Sequence, residues 1–137
     1  MNDGAFYIAI DPGKHTGWAT FDKEGKLLNL GMFNDEDKFL DWLEEQDAKV
    51  YVIEQYRNRG GFVNSWSDMP TSQHIGAIKR IGRKKKVEMV MQEPSPCLTQ
   101  GLKFLGVWTQ YKDKHVPDQI SALAHGTYYL RKNRILK

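Results

Sequence analysis

The 137-residue chain has one cysteine, Cys97, and only five prolines. A single thiol excludes an internal disulfide and a zinc ribbon, and it fits a reducing cytosol. No apolar run approaches the ~20 residues that span a bilayer, so no membrane partner is expected. Asn2-Asp3-Gly4 runs straight into apolar residues without the pattern of a signal peptide. Internal repeats and low-complexity linkers are absent as well. What remains is the expectation of a cytoplasmic protein with a single domain, residues 1–137, around one core. A content of 40% hydrophobic and 27% charged residues suits a soluble globular chain.

A strong excess of either charge is also missing, since the net charge is +3. Its distribution says more. Lys79, Arg80, Arg83, Lys84, Lys85 and Lys86 make a dense basic segment, and Arg131, Lys132, Arg134 and Lys137 a second. Acids concentrate in residues 35 to 47. Basic clusters of this kind suit an anionic polymer, although a solvated helix end produces the same pattern.

The apolar pattern predicts strands at about 5–10, 17–22 and 26–33, joined as an antiparallel meander, with Gly25 free to take positive φ in the second turn. Asn34 or Asp35 can cap a helix over 36–46 that buries Phe39, Leu40 and Leu43. A fourth strand follows at 49–54, and the helical crossover implies that it runs parallel to its neighbour. Residues 55–70 read as a loop rich in arginine, glycine and aromatics. A helix from Thr71 or Ser72 to about 82, a fifth strand at 86–92 and a short helix near 97–104 come next. Residues 106–114 read as loop. The last helix is expected from Val116, with Pro117 in its first turn and Ile120, Leu123, Ala124, Thr127 and Tyr128 on its apolar face.

Three acids stand out against this frame. Asp11 ends the buried run Phe6–Ile10, Glu54 ends Val50–Ile53, and Asp118 closes His115-Val116-Pro117-Asp118. A carboxylate at the end of a buried strand needs a partner. Neighbouring parallel strands lie about 4.8 Å apart, so Asp11 and Glu54 would be close enough to share a metal ion. Acids gathered from distant segments are the usual raw material of a magnesium site. Taken singly, each has an ordinary explanation. Asp-Pro-Gly after a strand is a common turn, Glu54 can be a paired surface acid, and His115 and Asp118 suit a helix start.

Taken together, these segments resemble the RuvC-type Holliday junction resolvases of the RNase H-like, retroviral integrase superfamily. Ile10-Asp11-Pro12-Gly13 with Thr16-Gly17-Trp18-Ala19 is similar to that family's first motif, Val52-Ile53-Glu54 to its second, and His115 through Ala124 to its last. His115 stands where the commoner form has an acid. Gly76-Ala77-Ile78 resembles the helix after the loop, and Pro94 through Gly106 resembles the Pro-x-x-x-Lys…Gly segment. The chain is shorter than cellular members, which suggests a compact phage-type relative in a bacterial or phage-infected host cell. The resemblance implies an α/β, RNase H-like fold: a five-stranded mixed sheet, three antiparallel strands then parallel additions, flanked by helices. It implies a structure-selective endonuclease for four-way DNA junctions, acting as a homodimer without an organic cofactor. Other RNase H-like nucleases acting on RNA, hybrid or branched DNA, and a non-catalytic junction-binding protein, stay open as alternatives.

The implied chemistry is phosphodiester hydrolysis with two Mg2+ or Mn2+ ions per active site, about 3.5–4 Å apart. Asp11 would bridge them, Glu54 and Asp118 would each complete one, and His115 would ligate the second ion or relay a proton. A nitrogen ligand tilts the preference toward manganese. Lys14, Arg57, Arg59, Lys79, Arg80, Arg83, Lys84 and Lys85 are candidate DNA contacts, and Phe62 or Trp66 a candidate wedge against bases. Packing under the loop or a dimer contact accounts equally well for these two aromatics. His74 and His125 read as structural, and Trp42 and Trp108 as core or interface.

Overall fold

Five short strands, alternating buried side chains between two faces, build one mixed sheet. They are Tyr7–Asp11 (β1), Thr16–Phe21 (β2), Leu27–Phe33 (β3), Val50–Glu54 (β4) and Glu88–Gln92 (β5), in the spatial order β3-β2-β1-β4-β5. β1 pairs antiparallel with β2 and parallel with β4, and β5 adds parallel to β4. The computed structural model describes residues 4–13, 15–55 and 68–136. Lys14, Arg57, Arg59, Phe62 and Trp66 lie outside the described residues.

Alternation along the strands separates two apolar layers. Ile8 and Ile10 of β1, with Tyr51 and Ile53 of β4, join Phe39, Leu43 and Ile78 on one face. Tyr7, Ala9, Val50 and Val52 join Ala19, Phe21, Ala122 and Leu130 on the other. The helices covering the first face are Glu36–Glu45 (α1) and Asp68–Lys85 (α2). Pro94–Phe104 (α3), the single turn Trp108–Tyr111 (α4) and Asp118–Lys132 (α5) follow β5, and α5 packs on β1 and β2 across the second face. Because β1 and β4 are covered on both sides they read as continuous apolar runs, the mark of buried parallel strands. Asp35 caps α1 by accepting from the backbone amides of Asp37 and Lys38 at 2.9 and 3.2 Å. Among the described residues no helix is long and apolar enough to cross a membrane.

The architecture matches the expected one, with local differences. α2 extends past residue 82 to Lys85, because lysine and arginine form helix well and favour its C-terminal end. Lys86 then turns in the left-handed region, at φ 60°, so β5 begins at Glu88 rather than at 86. α3 starts at Pro94, with a break at Ser95. α4 forms a turn inside the expected 106–114 loop. Pro117 precedes the last helix instead of lying within it, and its extended ψ of 146° makes Asp118 the first helical residue. The buried face of α5 is Ser121, Ala122, Ala124, His125, Gly126, Thr127 and Leu130, so Ile120, Leu123 and Tyr128 are only half-buried. Small residues win there because the helix lies close on the sheet: a Cβ on Gly126 would strike the ring of Phe21.

His74 is structural, as expected. Its Nε2 lies 2.9 Å from Thr16 Oγ1, and its Nδ1 lies 3.2 Å from Glu36 Oε1 without hydrogen-bond alignment. It thereby ties the start of β2 to α1 and α2. Trp42 is half-buried and packs against the core, its ring tilted 34° to that of Trp18 with centroids 4.6 Å apart. Burial lowers the His74 pKa from the ordinary 6.5, with Glu36 pulling it the other way. A folded-state pKa below the unfolded one means stability present above about pH 6.5 and lost as the pH falls. Replacing His74 by Gln should therefore flatten the decline in melting temperature between pH 7 and 5, and melting curves of both proteins across that range check it.

Candidate functional site

The registers of β1 and β4 place two carboxyl groups side by side. Ile10 pairs with Ile53 in the parallel ladder, so the next residues, Asp11 and Glu54, end adjacent strands at the same edge. Their side chains lie within hydrogen-bonding reach of each other. Burial first, then the Glu54 hydrogen bond and charge, push the Asp11 pKa from 3.8 up to about 10. Asp118 adds to the rise by its charge, and a hydrogen bond from Ser121 opposes it.

α5 brings these last two residues in. Asp118 opens the helix, half-buried, and Ser121 lies one turn on. The approach requires glycine at position 17: a Cβ there would overlap the backbone carbonyl of Asp118. Gly17 is paired with Asp11 across β1 and β2. The first motif thus supplies one acid and the space for another.

His125, two turns after Asp118, is fully buried, and its Nε2 lies 4.0 Å from Glu54 Oε2. Burial lowers its pKa while the charge of Glu54 acts oppositely. Its Nδ1 lies 3.1 Å from the amide nitrogen of Gln92, which β5 holds in register with Glu54. His125 is buried and bonded to Gln92, in keeping with a structural role, and it also neighbours Glu54; the sequence reading did not single out Ser121. The signal was the i, i+3, i+7 spacing from Asp118, which puts all three on one helix face.

The remaining candidates are less concentrated. His115 is exposed in the segment before α5. Among the described residues no three His, Cys, Asp or Glu side chains are arranged to hold one ion. The donor set nevertheless fits a hard cation, since among the described residues two crowded carboxyls with a third acid nearby have no positive partner. Lys79 and Arg80 lie in the second half of α2, one turn before Arg83. Arg83, Lys84 and Lys85 lie at its far end, beside the N-terminal ends of the parallel strands, and the five-residue β4 separates the two sheet edges by roughly 16 Å. Lys85 Nζ donates to the Glu44 carbonyl at 2.6 Å, and Lys84 lies 4.0 Å from the Glu44 carboxylate. Lys103, which the sequence did not place, lies over the Trp108 ring.

No family model matches the chain, and no curated protein sequence does so significantly. Solved structures do match. A structure of Thermus thermophilus RuvC in complex with a Holliday junction substrate is 17% identical, covering 93% of this chain and 94% of that one, with a TM-score of 0.68. A second Thermus thermophilus RuvC structure is 18% identical, with 93% and 96% covered and a TM-score of 0.61. The chain has the RNase H-like fold of these RuvC structures, from the meander to the helix carrying Asp118.

Two outcomes follow. Gly17→Ala should cost about 1–3 kcal/mol, because backbone must shift to admit the methyl group, and should lower the melting temperature. Asp11→Asn should do the opposite. A folded pKa raised from 3.8 to about 10 means that folding takes up a proton, at a cost that grows with pH between those values. The variant should melt several degrees higher than wild type at pH 7, and the gap should widen toward pH 9 in calorimetry.

Proposed function

We propose that the chain is a metal-dependent endonuclease that resolves four-way DNA junctions. The observation that carries this reading is the Asp11–Glu54 pair at the C-terminal ends of the two central parallel strands, with Asp118 delivered beside it. The likeness in fold to a RuvC in complex with a Holliday junction substrate supports the choice of substrate.

Asp11, Glu54 and Asp118 would hold the divalent ions, with His115 as a further ligand if its segment moves toward them. Divalent cations bound there supply activation of water and stabilisation of the leaving oxygen. The three acids sum to −3 when ionised and repel a phosphate: one such pair at 4 Å costs ~4 kcal/mol at an effective dielectric of 20. The carboxylates therefore serve only once their charge is compensated. Ser121 keeps Asp11 oriented by hydrogen bonding to it. Lys79 and Arg80, on the length of α2, suit phosphates nearer the site, whereas Arg83 suits a more distant arm. Screening over ~8 Å keeps that far cluster from offsetting the acids. A four-way junction has two-fold symmetry and needs two cuts, so a homodimer with two sites fits it.

Cleavage of a synthetic four-way junction, a linear duplex and an RNA–DNA hybrid, with and without Mg2+ or Mn2+, tests the reading. Cutting of the junction alone, and only with metal, is expected. Asp11→Asn and Glu54→Gln should reduce it to the level seen without metal while leaving junction binding within a few-fold, because binding energy comes mainly from basic side chains on phosphates. Preferential cutting of the hybrid would move the protein to a different RNase H-like activity.

A further inference from the structure

One buried polar atom beside the carboxylate pair has no hydrogen bond: Nε2 of His125. Its protonation follows from its neighbours. The backbone carbonyl of His125 can only accept, so the end of the Gln92 amide lying 3.0 Å from it is the NH2 group. The same nitrogen is 3.1 Å from Nδ1. An amide nitrogen cannot accept a hydrogen bond, so Nδ1 must, and a neutral ring accepting at Nδ1 carries its proton on Nε2. A doubly protonated ring would set one donor against another at Gln92. The Nε2–H then faces Glu54 Oε2 at 4.0 Å, inside a region where an unpaired donor costs ~1–3 kcal/mol.

We infer that His125, locked by Gln92 in its Nε2–H form, is a positioning residue whose unpaired donor closes the 4.0 Å gap to Glu54 Oε2 and orients that carboxylate when a cation is bound. The inference rests on the reading of Asp11 and Glu54 as cation ligands. Carboxylates that ligate metal are themselves held by hydrogen bonds, and loss of such a partner weakens metal binding about 10–100-fold. Glu54 and Gln92 are paired across β4 and β5, and α5 crosses above them, so three elements set this one orientation.

The test uses the whole protein and the metal alone. Mn2+ binding by electron paramagnetic resonance should weaken about 10–100-fold in His125→Phe, with melting temperature and circular dichroism reporting whether the variant is folded. His125→Gln should recover part of the affinity, because its amide can present an N–H near the position of Nε2. Long-range 1H–15N spectra of wild type at neutral pH should show the Nε2-protonated tautomer, and its Nε2 resonance should move in Glu54→Gln. A proton on Nδ1, or Mn2+ affinity unchanged in a folded His125→Phe, overturns the inference. If His125→Phe does not fold, an Nε2 resonance indifferent to Glu54→Gln overturns it instead. Failure of the nuclease reading looks different: the tautomer and Mn2+ binding would be as described, with no junction cut by wild type.

Discussion

Two carboxyl groups crowded together at the ends of adjacent parallel strands set the terms for everything around them. Their proximity is unfavourable without a counter-charge, and it is imposed by the backbone: Ile10 and Ile53 are paired in the ladder, and the chain has no room to separate the residues that follow. The apolar layers on both faces of β1 and β4 hold that register, since a slip of one residue would turn Ile8, Ile10, Tyr51 and Ile53 to the wrong side. The core thus stabilises a local arrangement that would not form by itself. Strain of this kind collects where a protein does chemistry.

The last helix completes the arrangement through what it lacks. Its sheet-facing side is built of serine, alanine, glycine, threonine and histidine, with Leu130 at the end. Bulky residues there would lift the helix off β1 and β2 and withdraw Asp118 and Ser121 from Asp11. Gly17 and Gly126 mark the closest approaches, one to the helix backbone and one to the Phe21 ring. His74 plays a comparable part on the opposite face, anchoring Thr16 just beyond the turn that follows Asp11. Polar side chains buried on both sides of the sheet thus hold the loop and helix that flank the acids.

Much of this was legible in the chain. The apolar runs ending on Asp11 and Glu54, and the helical crossover between β3 and β4, required parallel neighbours and hence adjacent acids. Asp35 as a cap and Gly25 at φ 88° followed from local chemistry alone. Boundaries at Lys86 and Pro117 were misplaced because single backbone angles, not patterns, decide them. That His125 neighbours Glu54 was not legible for another reason. A histidine on a helix face has the same sequence signature whether it fills a core or faces a carboxylate.

The basic residues show the same limit from the other side. The sequence displays Arg83 to Lys86 as a cluster but not that α2 carries it to the sheet edge opposite the acids, where Glu44 engages Lys84 and Lys85. Hydrophobic periodicity and the order of elements determined the sheet, the parallel pairing and the convergence of Asp11 with Glu54, because burial fixes which face each residue takes. Only the tertiary structure decided how closely α5 lies on the sheet, which histidine reaches Glu54 and how far the lysines lie from it. Those are distances between elements remote in sequence, set by side-chain volume and backbone contact rather than by any local pattern.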